Sequence, residues 1–158
     1  MKRAGLSFAI LALAAGAAAA QPPARVPQMA PLIDKVCLPL MKGATVAAAA
    51  ANAKPLAFTE SARNATMVTL QRDESFSMSL GPDYCLISLS PATPVHFRDA
   101  ESELRAWLPQ LGRYWAGPVE SDAILGVRYR KYRAGGFTVT IEEQVDEYGR
   151  RLNVTLGK

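Results

Sequence analysis

Alternating apolar and polar positions predict three short strands between residues 65 and 90. Within residues 75–80 the apolar side chains alternate with serines, which is the two-residue period of a half-buried strand. The runs 65–72 and 84–89 lie on either side, each separated from it by two or three turn-forming residues. Three strands joined in succession by short turns predict an antiparallel meander.

Two helices are predicted before this meander. Apolar positions recur every three or four residues over 29–41, the spacing of an amphipathic helix that packs on a core. Pro39 has no amide hydrogen and crowds the preceding turn, so we expect a break or kink near Leu38. Thr45 is the expected N-cap of a second, alanine-rich helix over 46–54.

The second half of the chain repeats this order of elements. Asp99 is the expected cap of a third helix over 99–111, and three strands follow it. Two of these strands form a hairpin around Gly135 and Gly136, and the third covers residues 152–156. A helix followed by three strands, occurring twice, predicts a single α+β domain: an antiparallel sheet of about six strands with three short helices packed on it.

The N-terminus predicts export. Residues 1–20 combine two basic residues, a short apolar run rich in Ala and Leu, and small residues at the end, which is the pattern of a secretory signal peptide cleaved near Ala20. Residues 21–28 are expected to form a flexible proline-rich leader, and residues 29–158 a single domain. The mature protein is therefore expected in the periplasm or secreted from a bacterium, with no membrane anchor.

Charge does not suggest nucleic-acid binding. The net charge of the full chain is +4. Cleavage near Ala20 would leave 16 basic residues against 14 acidic ones, because the signal peptide contains Lys2 and Arg3. A mature charge this close to neutrality gives no reason to expect a nucleic-acid partner.

The two cysteines, Cys37 and Cys85, are expected to form a disulfide, because an exported protein leaves the reducing cytosol. Two unlinked buried thiols and a catalytic or redox thiol are the alternatives. No Cys-x-x-Cys motif is present, and His96 is the only histidine that could serve a catalytic cysteine.

A basic run rich in tyrosine, residues 128–133, suggests binding. Pairing outward from the glycine turn places Arg128 opposite Glu143 and Tyr129 opposite Glu142, so a charge-paired surface hairpin is the alternative to an anion-binding face. Tyr114 and Trp115 are aromatic candidates for an interface, and the alternative is that they pack as a wedge between helix and sheet. The candidate binding surface comprises Tyr114, Trp115, Arg128, Tyr129, Arg130, Lys131 and Arg133.

Several chemistries lack their motifs. No phosphate-binding glycine loop, nucleophile elbow or His/Cys cluster is present, so no catalytic residue, cofactor or metal site is predicted. The leading hypothesis is a small exported, non-catalytic interaction protein with a protein partner, an inhibitor or an accessory subunit in the cell envelope. The alternatives are a module that binds anionic envelope material through the basic hairpin, and a hydrolase with an unidentified site, for which Cys37, His96 and the carboxylates are the candidates.

Overall fold

The computed structural model describes residues 29–74, 76–90 and 97–158. The expected signal peptide, the leader and His96 lie outside these residues. Eight antiparallel strands form one sheet, in the order β1-β2-β3-β4-β8-β7-β6-β5. The α+β class is therefore confirmed, whereas the expected count of about six strands is wrong.

Each half contributes four strands, and the halves meet where β4 pairs with β8. The strands of the first half are β1 (Thr59–Arg63), β2 (Val68–Asp73), β3 (Phe76–Leu80) and β4 (Tyr84–Leu89). Those of the second half are β5 (Tyr114–Asp122), β6 (Val127–Ala134), β7 (Phe137–Asp146) and β8 (Gly149–Gly157). The two unpredicted strands, β1 and β5, are the two edges of the sheet.

Three helices lie on one face of this sheet. Helix α1 runs through Ala30–Leu32, a π-helical segment Ile33–Cys37, and Leu38–Met41. Helix α2 is Val46–Ala53, followed by a 3₁₀ turn at Lys54–Leu56. Helix α3 is Phe97–Trp107, followed by a 3₁₀ turn at Leu108–Leu111.

Helix α1 does not break at Leu38. Proline cannot donate an amide hydrogen bond to the preceding turn, and the helix accommodates this with a wider turn, in which the amide of Leu38 donates to the carbonyl of Ile33. The helix then continues through Pro39 to Met41. The irregularity expected near Leu38 is thus a π-helical segment immediately before it.

The caps of the other two helices differ in how well the sequence predicted them. Thr45 caps α2 as expected, because its hydroxyl accepts a hydrogen bond from the amide of Ala48 at 3.2 Å. Asp99 does not cap α3, which begins two residues earlier. Instead, the amide of Phe97 donates to the carboxylate of Glu143 on β7 at 3.2 Å.

The core lies between the helices and the sheet. The alternating apolar residues of β3 and β4 are buried, as predicted, and so are those of β8. Cys37 and Cys85, both almost inaccessible to solvent, form the predicted disulfide between α1 and the central strand β4. Trp107 is also buried, and its indole nitrogen donates to Asp34 of α1 at 2.6 Å.

Among the described residues, no helix is long and apolar enough to cross a membrane.

Candidate interaction surface

The face of the sheet opposite the helices, here called the open face, carries mostly polar side chains. The strand registers align one row of side chains across all eight strands. From β1 to β5 this row is Thr59, Gln71, Ser77, Ser88, Asn153, Glu142, Tyr129 and Glu120. The inner members of the row are half-buried rather than fully buried, because the described helices all pack against the other side of the sheet.

A shallow concavity of about 440 Å³ lies on the first-half side of the open face. Hydroxyl and amide side chains provide most of its lining, among them Gln71, Ser77, Ser88 and Asn153. The Ser88 hydroxyl donates to Asn153 at 2.8 Å, and the Asn153 amide donates to Glu142 at 3.4 Å. These hydrogen bonds order the centre of the face.

Four of the predicted surface residues share the open face at its β5–β6 end. Trp115 lies directly opposite Arg133, whose guanidinium carbon is 5.5 Å from the centroid of the indole ring. Lys131 lies two residues along β6, with its ammonium nitrogen 5.5 Å from the ring of Tyr129. Both contacts have cation–π geometry. We call Trp115, Tyr129, Lys131 and Arg133 the aromatic–cation cluster.

The other three predicted residues point to the helix side. Arg130 pairs with Glu101 of α3, and Arg128 pairs with Glu143 at 2.8 Å. Tyr114 packs edge-on against the buried ring of Tyr132, with the ring centroids 6.3 Å apart. Successive side chains of a strand point to opposite faces, so the basic run 128–133 is divided between the two sides of the sheet.

The predicted hairpin register is correct: Arg128 is opposite Glu143, and Tyr129 is opposite Glu142. The ion pairing that this register predicts occurs only on the helix side of the sheet. Glu143 is buried, and it forms ion pairs with Arg128 and Arg150 in addition to accepting from the α3 amide. Glu143 therefore holds the start of α3 against the sheet and supplies the carboxylate that pairs with Arg128.

On the open face, the two carboxylates beside the aromatic–cation cluster have neutral partners. Glu142 accepts from the Asn153 amide, and Glu120 accepts a short hydrogen bond from the Tyr129 hydroxyl. This hydrogen bond raises the pKa of the Tyr129 phenol above its usual range. Within the described residues, neither Lys131 nor Arg133 forms an ion pair with a carboxylate.

The sequence did not reveal a second exposed group at the tips of two neighbouring hairpins. Ile124 and Leu125 are 95% and 63% exposed in the β5–β6 turn, and Tyr148 is 73% exposed in the β7–β8 turn. Two apolar residues in succession within a turn are the signal that could have indicated this exposure. Asp122 orders the first turn by accepting from the amides of both Ile124 and Leu125.

Catalytic groups are sparse in the part of the chain that the structure describes. Both cysteines are in the disulfide, and no group of three or more His, Cys, Asp or Glu residues is placed to hold a metal ion. The carboxylates of the candidate surface have hydrogen-bonding or structural roles. The open face thus offers hydrogen bonds, aromatic rings and two unpaired cations.

The comparisons with known proteins identify no relative: no protein-family model, no curated protein and no solved structure matches the chain. The case for a function therefore depends on the chemistry of the residues described above.

Proposed function

We propose that this protein is a small exported, non-catalytic interaction protein that binds a protein partner on its open face, as an inhibitor or an accessory subunit in the bacterial cell envelope. The observation that carries the proposal is the placement of Trp115. Its side chain is 53% exposed on the open face and lies against the guanidinium of Arg133.

Trp115 is suited to anchor an interface. Tryptophan, tyrosine and arginine are the residue types that most often contribute large binding energies at protein interfaces. Here Trp115 and Arg133 are adjacent on paired strands, and Tyr129 lies four residues from Arg133 on the same face of β6. Because the strands fix the backbone of all three, little conformational entropy would be lost when a partner covers them.

The size of the open face also supports a protein partner. Eight strands about 4.8 Å apart span roughly 34 Å, and six residues of a strand extend about 20 Å. The resulting area of about 700 Å² approaches the roughly 800 Å² that each protein contributes to a standard interface. A small ligand would use only a fraction of this surface.

Export is proposed from two independent features. The first 20 residues have the pattern of a signal peptide. The Cys37–Cys85 disulfide is compatible with an oxidising compartment outside the cytoplasm, since cytosolic thiols are normally kept reduced.

The proposal is tested by retaining partners from an envelope extract of the source bacterium on the immobilised mature protein. We expect a protein that is retained at about 0.15 M salt and lost when Trp115 is changed to Ala. Tyr148→Ala is the matched control, because it removes a more exposed aromatic residue that lies in the β7–β8 turn and outside the aromatic–cation cluster. Equal retention by wild type and Trp115→Ala would refute the proposed interface.

A further inference from the structure

A small cleft adjoins the aromatic–cation cluster at the glycine turn between β6 and β7. It has a volume of about 310 Å³ and is lined by Arg113, Arg133, Thr138 and the residues of the turn. Gly112, with φ of +96°, ends the 3₁₀ segment after α3 and leads the chain to Arg113. Tyr114 then pairs with Ala134, which places Arg113 beside the turn.

The two arginines of this cleft differ from most others in the protein. Seven of the ten arginines in the described residues have a carboxylate oxygen within 4.0 Å. Of that described set, Arg98, Arg113 and Arg133 form no such pair, and two of these three line the same cleft. Both cleft arginines are solvent-exposed and therefore accessible to a partner.

Lys131 extends the positive charge along the open face. Residues two apart on a strand point to the same face with a spacing of about 7 Å, so Lys131 and Arg133 lie side by side at that distance. Alternate side chains of any extended peptide have the same spacing. The nearby carboxylates of Glu120 and Glu142 remain hydrogen-bonded to Tyr129 and Asn153.

Building on the proposed function, we infer that the partner presents an acidic, extended segment to this end of the open face. One carboxylate of the segment lies between Arg113 and Arg133, and a second, two residues away, meets Lys131. Arginine suits the first position because its guanidinium donates two parallel hydrogen bonds to a carboxylate. Trp115 packs against an apolar side chain of the same segment.

The test uses the mature protein and two synthetic peptides, an acetylated Glu-Ala repeat and its Gln-Ala counterpart. Binding is followed by the shifts of backbone amide signals in NMR spectra. We expect the Glu-Ala peptide to shift amides within 113–116 and 131–138, with an affinity that falls as salt increases. The Gln-Ala peptide should produce no such shifts.

Paired variants assign the effect to the cleft. Arg113→Ser with Arg133→Ser should weaken binding of the Glu-Ala peptide about tenfold or more, because charge-assisted hydrogen bonds are lost. Arg63→Ser with Arg98→Ser is the control: it removes the same charge from exposed positions outside the cleft, and it should change affinity less than about twofold, since distant surface charges are screened. Equal losses in the two variants, or shifts scattered over the surface, would overturn the inference.

Two further measurements separate this inference from related ones. Vesicles containing phosphatidylglycerol that bind through the same arginines, without binding of the Glu-Ala peptide, would replace the acidic segment by a lipid phosphate and overturn the inference. The envelope-extract assay distinguishes the inference from the proposed function itself. A partner lost with Trp115→Ala but retained by the double arginine variant would leave the proposed function standing and refute the acidic segment.

Discussion

Reducing the Cys37–Cys85 disulfide removes the covalent link between helix α1 and the central strand β4. The bridge joins residues 48 positions apart, so it closes a long loop of the unfolded chain. On the chain-entropy account, a loop of this length stabilises the folded protein by about 4 kcal/mol. Single domains have a total unfolding free energy of only about 5–15 kcal/mol, so the reduced protein should fold but with much less stability.

Replacing both cysteines by alanine should cost more than reduction. Cys37 and Cys85 are both buried, and removing each sulfur leaves a space about the size of a methyl group in the core. Such a cavity costs on the order of 1 kcal/mol. We therefore expect the alanine double variant to lose about 6 kcal/mol, of which about 4 kcal/mol reflects the lost covalent link and the rest reflects packing.

Urea unfolding measures both losses, with the fluorescence of the buried Trp107 as the probe. With a slope of about 2 kcal/mol per molar urea, reduction should lower the midpoint by about 2 M. Reductant should leave the alanine double variant unchanged, which controls for effects on the rest of the protein. A difference below about 1 kcal/mol between oxidised and reduced wild type would refute the loop-closure argument.

Two further changes probe the second half of the sheet. Burial raises the pKa of the Tyr132 phenol above its usual value. The stability that the protonated phenol contributes is therefore fully present below about pH 10 and is lost as the pH rises through the folded-state pKa. We expect urea midpoints of Tyr132→Phe to decline less steeply above pH 10 than those of wild type; parallel declines would contradict this. Gly126→Ala should destabilise by more than about 2 kcal/mol, because φ is +62° and the added Cβ would lie 2.2 Å from the Val145 carbonyl oxygen. Gly136→Ala, with φ of +83° and no atom within 4 Å, should cost only about 1 kcal/mol, and thermal unfolding compares the two.

The sequence predicts the inner strands well because each of them buries one face. In β3 and β4 every second residue is apolar and lies against the helices, so the two-residue period appears directly in the sequence. Edge strands have no such requirement. All five residues of β1 are exposed, and the sequence of β5 is interrupted at Gly117 and Pro118, where the pairing with β6 shifts register. Neither strand shows the alternation that would reveal it.

The helix ends depend on contacts that are distant in sequence. Thr45 caps its helix with a local hydrogen bond, which a sequence pattern can predict. The start of α3 is satisfied instead by Glu143, 46 positions away from Phe97, and only the folded sheet brings the two together. Asp99 has the right residue type for a cap but lies within the first turn of the helix.

The sequence predicts the candidate surface only in part, because some of its residues come together through contacts that are distant in sequence. The alternation within 128–133 separates Arg128 and Arg130 from Lys131 and Arg133, and this division follows from strand geometry alone. Arg113 carries no pattern, since it lies between a 3₁₀ turn and an edge strand. Its position beside Arg133 becomes apparent only from the pairing of Tyr114 with Ala134.

The two halves of the sheet have the same arrangement but different open faces, and this contrast supports a role in binding for the second half. Each half consists of helical structure followed by four strands, rather than the three that the sequence predicted. On β1 and β2, the corresponding edge strands of the first half, the open face carries Thr59, Ala62, Thr69 and Gln71, which suffice for a sheet surface in water. The fold alone therefore does not require tryptophan, tyrosine, lysine and arginine at the corresponding end of the second half. Exposing a large indole ring and leaving cations without carboxylates gives little stability in the free protein, but both features would contribute when a partner covers them.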